Sequence, residues 1–372
     1  MTSPLLSRQG AVAAEGADSG VAWHYGDPTA EQRALLAGVA LVDQSHLGVV
    51  AVTGPDRLSW LDSLTTQAVG GLLPGESSEF MVLSPQGRVE HVAAIVDDGE
   101  TSWLISETAE GLATFLDRMR FMLRVEVSDV SEHWAALGES STGAVPGRVT
   151  WNDPWPGIVA GGTTYVPADA PAGEPWTWRL SLVPRAELEA EVDARLAAGA
   201  KLAGTWALEA LRIAAHRPRM TEVDATTLPH ELDWLRTAVH LHKGCYRGQE
   251  TVAKVHNVGK PPRRLTMLHL DGSGADLPAV GAEITLRETV VGHVTAASRH
   301  HELGPIALAV LKRSVDPAAQ LEVAGDSGVI DASQEVIVNA EGFSVDRPPA
   351  PGPTMKGLLM GDRCKASGGD MS

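Results

Sequence analysis

Between Phe80 and Ile105 the chain alternates strand-like runs with connectors too short to hold a crossover, and nothing else in it limits the fold so sharply. Phe80-Met81-Val82-Leu83, Val89 to Val96 and Trp103-Leu104-Ile105 are apolar and partly β-branched, and only Ser84-Pro85-Gln86-Gly87 and Asp97-Asp98-Gly99-Glu100 fall between the principal runs. Parallel strands need a dozen or more connecting residues, so these runs must pair antiparallel. Leu112, Phe115, Leu116 and Met119 then recur at i, i+3, i+4, i+7, the spacing of a helix packed on that sheet.

The same logic extends in both directions. Ala30 to Ala40 has helical composition and stops near Gly38, Val49-Val50-Ala51-Val52 runs as a strand into the Gly54-Pro55-Asp56 turn, and Leu58, Leu61 and Leu64 form a short amphipathic helix capped by Asp56. Val125 to Val130 is a strand. Residues 138–173 are rich in Gly, Pro and Thr and read as a loop-heavy junction, before a strand at Trp176 to Val183 and helices around Leu188–Leu196 and Trp206–Ile213. Past Pro261-Pro262, short β-rich runs at 265–270, 283–286, 290–296 and 306–311 suit a small barrel. Pattern alone gives an α+β fold with antiparallel sheets and a C-terminal barrel.

At 372 residues the chain exceeds the size at which one core keeps growing, so two or three domains are expected. No apolar run approaches the roughly 18 residues of a membrane span, and the first twenty residues do not read as a secretory signal. The formal charge of −17 argues against a nucleic-acid or anionic-membrane surface. With two cysteines, Cys245 and Cys364, a disulfide scaffold is excluded and a reducing cytoplasm fits. Residues 1–20 read as a disordered arm and 346–372 as a disordered tail.

The chemistry concentrates at Lys243-Gly244-Cys245-Tyr246-Arg247-Gly248-Gln249-Glu250. One thiol lies between two cations and two glycines, with Glu250 close enough to pair with either cation. Cations favour the thiolate, and glycines admit a ligand or backbone N–H groups close to the sulfur. A buried cysteine in a basic turn is the alternative, since free cysteine is among the most buried residue types. His240, His242 and His256 lie nearby, yet H-x-H-x-x-C matches no zinc spacing and no metal is expected. A Cys–His hydrolase would need a base and oxyanion donors that nothing in the sequence singles out.

This octapeptide resembles the K-G-C-[FY]-x-G-Q-E signature of the YgfZ family, folate-binding relatives of the glycine-cleavage T-protein that support iron–sulfur enzymes. The resemblance runs from about Leu41 to about Lys312. It takes in Leu41-Val42-Asp43, Val52-Thr53-Gly54-Pro55-Asp56 with the helix to Thr66, Ser84-Pro85-Gln86-Gly87-Arg88, Arg263-Arg264-Leu265 and Gly292-His293-Val294-Thr295.

The resemblance implies a three-domain aminomethyltransferase-like fold around a central folate pocket. The first domain would span 21–50 plus 135–258, interrupted by an inserted α+β domain at 51–134, with the barrel at 259–345. It implies tetrahydrofolate or a derivative as cofactor and reduced folate with iron–sulfur enzymes or assembly proteins as partners. Charge and cysteine usage add the expectation of a cytoplasmic chain without nucleic-acid or membrane binding, and a monomer is the default expectation. Cys245 would be the functional thiol, tuned by Lys243 and Arg247. Gly244, Tyr246, Gly248, Gln249, Glu250, Arg263, Arg264 and Glu90 would line the folate site, the arginines facing the carboxylate tail.

Two departures from the T-protein pattern weigh against the alternative, a folate-dependent aminomethyltransferase. Glu90-His91 stands where the transferases have an acidic pair, and Ala214 stands where they place the glutamate that holds the pterin. Glu209, Glu222 and Asp224 are the nearby acids left to replace it, and Pro229-His230-Glu231 with Asp233-Trp234 is a further candidate lining.

Overall fold

The computed structural model describes residues 2–274 and 276–347. A hairpin of β1 (Val12–Ala13) and β2 (Ala22–His24) leads into helix α1 (Pro28–Leu36), strands β3 (Ala40–Asp43) and β4 (Gly48–Thr53), and helix α2 (Arg57–Leu64). A meander follows of β5 (Ser77–Leu83), β6 (Val89–Asp97) and β7 (Thr101–Ser106), then helix α3 (Ala109–Arg118) and β8 (Glu126–Asp129). Strands β9 (Trp134–Glu139), β10 (Thr150–Asn152) and β11 (Arg179–Pro184) precede α4 (Leu188–Ala197), β12 (Lys201–Ala203), α5 (Thr205–Ala214) and α6 (Gln249–Asn257). The last six strands are β13 (Arg263–Leu270), β14 (Glu283–Leu286), β15 (Thr289–His300), β16 (Gly304–Lys312), β17 (Leu321–Gly325) and β18 (Gly328–Val336).

The meander pairs antiparallel as its connectors require, within a five-stranded sheet ordered β5-β6-β7-β4-β8. A second five-stranded sheet, β10-β11-β9-β3-β12, is antiparallel except where β12 joins β3 in parallel. The final strands close into a barrel, β13-β16-β15-β14-β17-β18. This is a mixed α+β architecture of antiparallel sheets and a closed six-stranded barrel.

Period-two alternation in β13 and β16 explains why both faces of these strands are apolar. Leu268, Leu270, Ala307, Ala309 and Leu311 fill the barrel, while Leu265, Met267, Ile306, Leu308 and Val310 pack against a core shared with Met81, Leu83, Ile213, Ala214 and Trp234. The barrel is thereby seated on the body of the molecule. Helix α5 lies between them and is buried along its whole length.

Three expectations need correction. Residues 2–20 are not a disordered arm: Pro4–Ser7 is a 3-10 helix, Leu5 is fully buried, and Asp18 pairs with Arg219 and His46. Sealing one leucine contributes roughly 1.5–3 kcal/mol toward ordering a segment that composition alone marks as loose, alongside the ion pairs of Asp18. Asp56 precedes α2 but makes no side-chain cap, because Arg124 claims its carboxylate at 2.7 and 3.1 Å. The junction at 138–173 contains β10, which pairs with β11. The tail beyond Arg347, with Cys364, lies outside the described residues.

Candidate functional site

The signature forms the loop before α6 and the first turn of that helix, and four of its residues are locked to their surroundings. Gly248 has φ +85° and starts α6. A Cβ there would stand 2.7 Å from the Ser84 carbonyl oxygen and 3.0 Å from the Gly87 Cα, so the loop seats backbone to backbone on the β5–β6 turn. That turn is itself shaped by Ser84, whose Oγ accepts from the N–H groups of Gln86 and Arg88.

Lys243 buries its side chain and donates to the main-chain oxygens of Asp62, Thr65 (2.9 Å) and Gln67 (2.7 Å), closing off the C-terminal end of α2. Burial pulls its ammonium below the usual lysine range, with Asp62 opposing the shift. Arg247 pairs with Glu90 on β6 at 2.8 and 3.3 Å and lies over the Phe115 ring of α3 at 5.5 Å. Tyr246 is buried in the central core, which raises the pKa of its hydroxyl.

Among these anchors Cys245 is exposed, with a free thiol. Gly244 beside it has open space where a Cβ would stand. Gln249 is half-buried at the start of α6, and Glu250 is exposed in the first helical turn, where a carboxylate is favoured. The buried-cysteine alternative is therefore set aside. The expected tuning of the thiol finds both cations already engaged, Lys243 on carbonyl oxygens and Arg247 on Glu90.

His240 and His242 meet edge to face at 6.3 Å, and the His240 imidazole fills the space that a side chain at Gly161 would need. Among the described residues no group of three or more His, Cys, Asp or Glu is arranged to hold a metal ion.

The two arginines and the acids expected to face folate have protein partners of their own. Arg263 is tied to Asp224 and to Glu231 at 2.7 Å. Arg264 is buried and bonds Thr266, Gln334 and the Val315 carbonyl oxygen without a carboxylate, and burial lowers its pKa to about 10. Glu209 and Glu222 both grip Arg212. Ala214 is buried. A small pocket bounded by Glu79, Glu107, Arg217, Arg219, Trp151 and Trp234 measures about 110 Å³, whereas ligand pockets run to roughly 300–1,000 Å³.

A larger cleft opens beside Ala215, the next residue after Ala214. It measures about 460 Å³ and is lined by Trp155, Glu174, Trp176, His216 and Arg236 among others. Arg217 and Arg236 place their guanidinium groups 5.1 and 4.7 Å from the Trp155 ring, and the Trp176 indole N–H donates to Asp153 at 2.8 Å. Flat apolar faces with one carboxylate and one guanidinium suit a planar hydrogen-bonding ligand that carries an anionic group. Sequence reading missed this cleft, although tryptophans at 151, 155, 176 and 178 in and beside a Gly/Pro-rich stretch were the available signal.

Residues 3–138 match the family model of the GCVT N-terminal domain. The chain is 28% identical over 310 residues to the aminomethyltransferase of Thermus thermophilus, covering 79% of this chain and 86% of that protein. It is 25% identical over 253 residues to the mitochondrial iron–sulfur cluster assembly factor IBA57 homolog of Mycosarcoma maydis, covering 63% of this chain and 58% of that one. The match spans 65% of the length of the putative chloroplastic transferase At1g60990 of Arabidopsis thaliana, less than two thirds of that protein. The crystal structure of glycine cleavage system aminomethyltransferase T from Bartonella henselae superposes with a TM-score of 0.71 at 16% identity, over 90% of this chain and 94% of that one.

Proposed function

From an aminomethyltransferase-like fold whose N-terminal part matches the GCVT domain, we propose that this chain binds reduced folate and uses Cys245 to assist assembly or repair of iron–sulfur enzymes. The mounting of that thiol carries the proposal. Lys243, Tyr246, Arg247 and Gly248 are each fixed by buried or paired contacts, and the single reactive atom among them faces outward beside the open space at Gly244. A structural cysteine has no use for such a mount. The similarity to a protein named as an iron–sulfur cluster assembly factor supports the partner class.

Tetrahydrofolate would lie in the cleft beside Ala215, where it would bring a one-carbon carrier. Trp176 offers a flat face, Glu174 an acceptor for the pterin's N–H donors, and Arg236 a partner for the tail carboxylate. We do not extend the proposal to aminomethyl transfer. Glu90, the carboxylate that reaction would rely on, is held by Arg247, and Ala214 has no carboxylate to offer.

Titration with tetrahydrofolate, followed by tryptophan fluorescence, tests the folate part. Wild type and Cys245→Ala are expected to saturate with the same affinity, and Trp176→Leu to bind about tenfold more weakly, the scale of one lost stacking contact. Absence of saturable binding to the wild type would remove folate from the account.

A further inference from the structure

The turn that ends α3 exposes three large apolar side chains in a row, Phe121, Met122 and Leu123, at 83%, 97% and 46% of their full surface. Phe121 has φ +48°, in the left-handed region that aromatic residues avoid. The tip is nevertheless firmly built. The Leu123 N–H donates to the Arg120 carbonyl oxygen at 3.0 Å, the Trp60 indole N–H holds the Met119 carbonyl oxygen at 3.1 Å, and Asp56 clamps Arg124 through both main chain and side chain. A fixed turn that presents a strained phenylalanine and a nearly naked methionine to water gains nothing within the isolated chain.

Charge tells what would cover it. Arg118, Arg120 and Arg124 surround the apolar tip in a chain whose net charge is −17. Arg120 and Arg124 are paired with Asp117 and Asp56, and Arg118 is exposed without a partner among the described residues. Aromatic, methionine and arginine side chains are the types enriched where proteins meet. We infer that residues 118–124 form a docking tip for a partner protein whose surface offers an apolar pocket rimmed by carboxylates. An anionic bilayer is disfavoured, because the chain's overall charge repels it and the exposed apolar stretch is one turn, not an amphipathic helix.

The tip and the signature share one scaffold. Arg247 rests on Phe115 of α3, Lys243 grips the end of α2, and Trp60 of α2 is bonded to the last turn of α3. A partner held at the tip is thus held on the two helices that support Cys245. The inference rests on the proposed thiol function only for what that partner would receive.

The test places a benzophenone amino acid at Met122 of the full-length chain in its native cells, irradiates them and sequences the cross-linked peptide. A discrete protein adduct through a segment with Asp or Glu beside apolar residues is expected. Its yield should fall about tenfold in the Arg118→Glu, Arg120→Glu background, since charge complementarity sets much of the encounter rate. An adduct with lipid, an adduct with a second copy of this chain, or no discrete adduct would overturn the inference. Repeating the experiment with Cys245→Ala separates the two claims: an unchanged adduct to a protein that carries no cluster would uphold the tip and contradict the iron–sulfur role.

Discussion

Lys243 gives up its ammonium to three main-chain oxygens at the end of α2, so the first lysine of the signature is a structural bolt for the loop. Replacing it with methionine keeps the stem and removes the donor, leaving those acceptors without a partner. The cost should be about 2–4 kcal/mol, read as a lower urea midpoint with an unchanged m-value. Cys245 would remain exposed but on a loosened mount. The presence of a notable thiol was legible in the octapeptide, because cations and glycines around one cysteine are informative by type. The direction in which each cation points was not. Lys243 turns to carbonyl oxygens some 180 residues earlier in the chain, and no spacing rule reports that.

At the scale of elements, α6 is pinned to the 3-10 turn Pro229–Leu232 by His230, whose Nε2–H donates to the Val252 carbonyl oxygen at 3.2 Å. Burial lowers the His230 pKa to about 3, slightly offset by that bond. Since its folded pKa lies below the ordinary value of about 6.5, it contributes stability in full above pH 6.5 and loses it as pH falls toward 3. Between pH 7.5 and pH 5 the loss through this group should be about 2 kcal/mol. His230→Gln keeps a donor and does not titrate, so the stability gap between wild type and variant should narrow by that amount over the same interval in paired urea melts. An unchanged gap would mean that the imidazole takes up its proton in the folded state near the ordinary value of about 6.5. The elements themselves were largely readable. The meander, the helix at Leu112–Met119 and the barrel follow from period and connector length, which are local. The 3-10 turn that carries Glu231 and ends at the left-handed Asp233 was not, because short turns are set by what packs on them. Asp233, buried with its pKa raised to about 6, accepts from Thr164 and from the Tyr165 N–H.

Over the whole molecule, the meander sheet and the barrel share a central core, and the second sheet packs on the meander sheet through a separate one. Side chains from β5, β6, α5, the signature loop and the outer face of the barrel meet in the central core. The cleft beside Ala215, about 460 Å³, is larger than the pocket of about 110 Å³ between Glu79 and Arg217. Sequence could suggest three parts and a central ligand, since the motifs come in a telling order, but which interior spaces are filled depends on side chains from distant segments. It also misjudged the first twenty residues, where burial of Leu5 and the Asp18–Arg219 pair outweigh a small and polar composition. Fold and thiol together leave one central claim, that Cys245 acts on behalf of iron–sulfur enzymes. The most direct measurement is the activity of an endogenous [4Fe–4S] enzyme in cells whose chromosomal copy encodes Cys245→Ala, with protein abundance matched to wild type. The account predicts activity as low as in a deletion strain, and wild-type activity in the Cys245→Ala cells alongside a deficient deletion strain would contradict it.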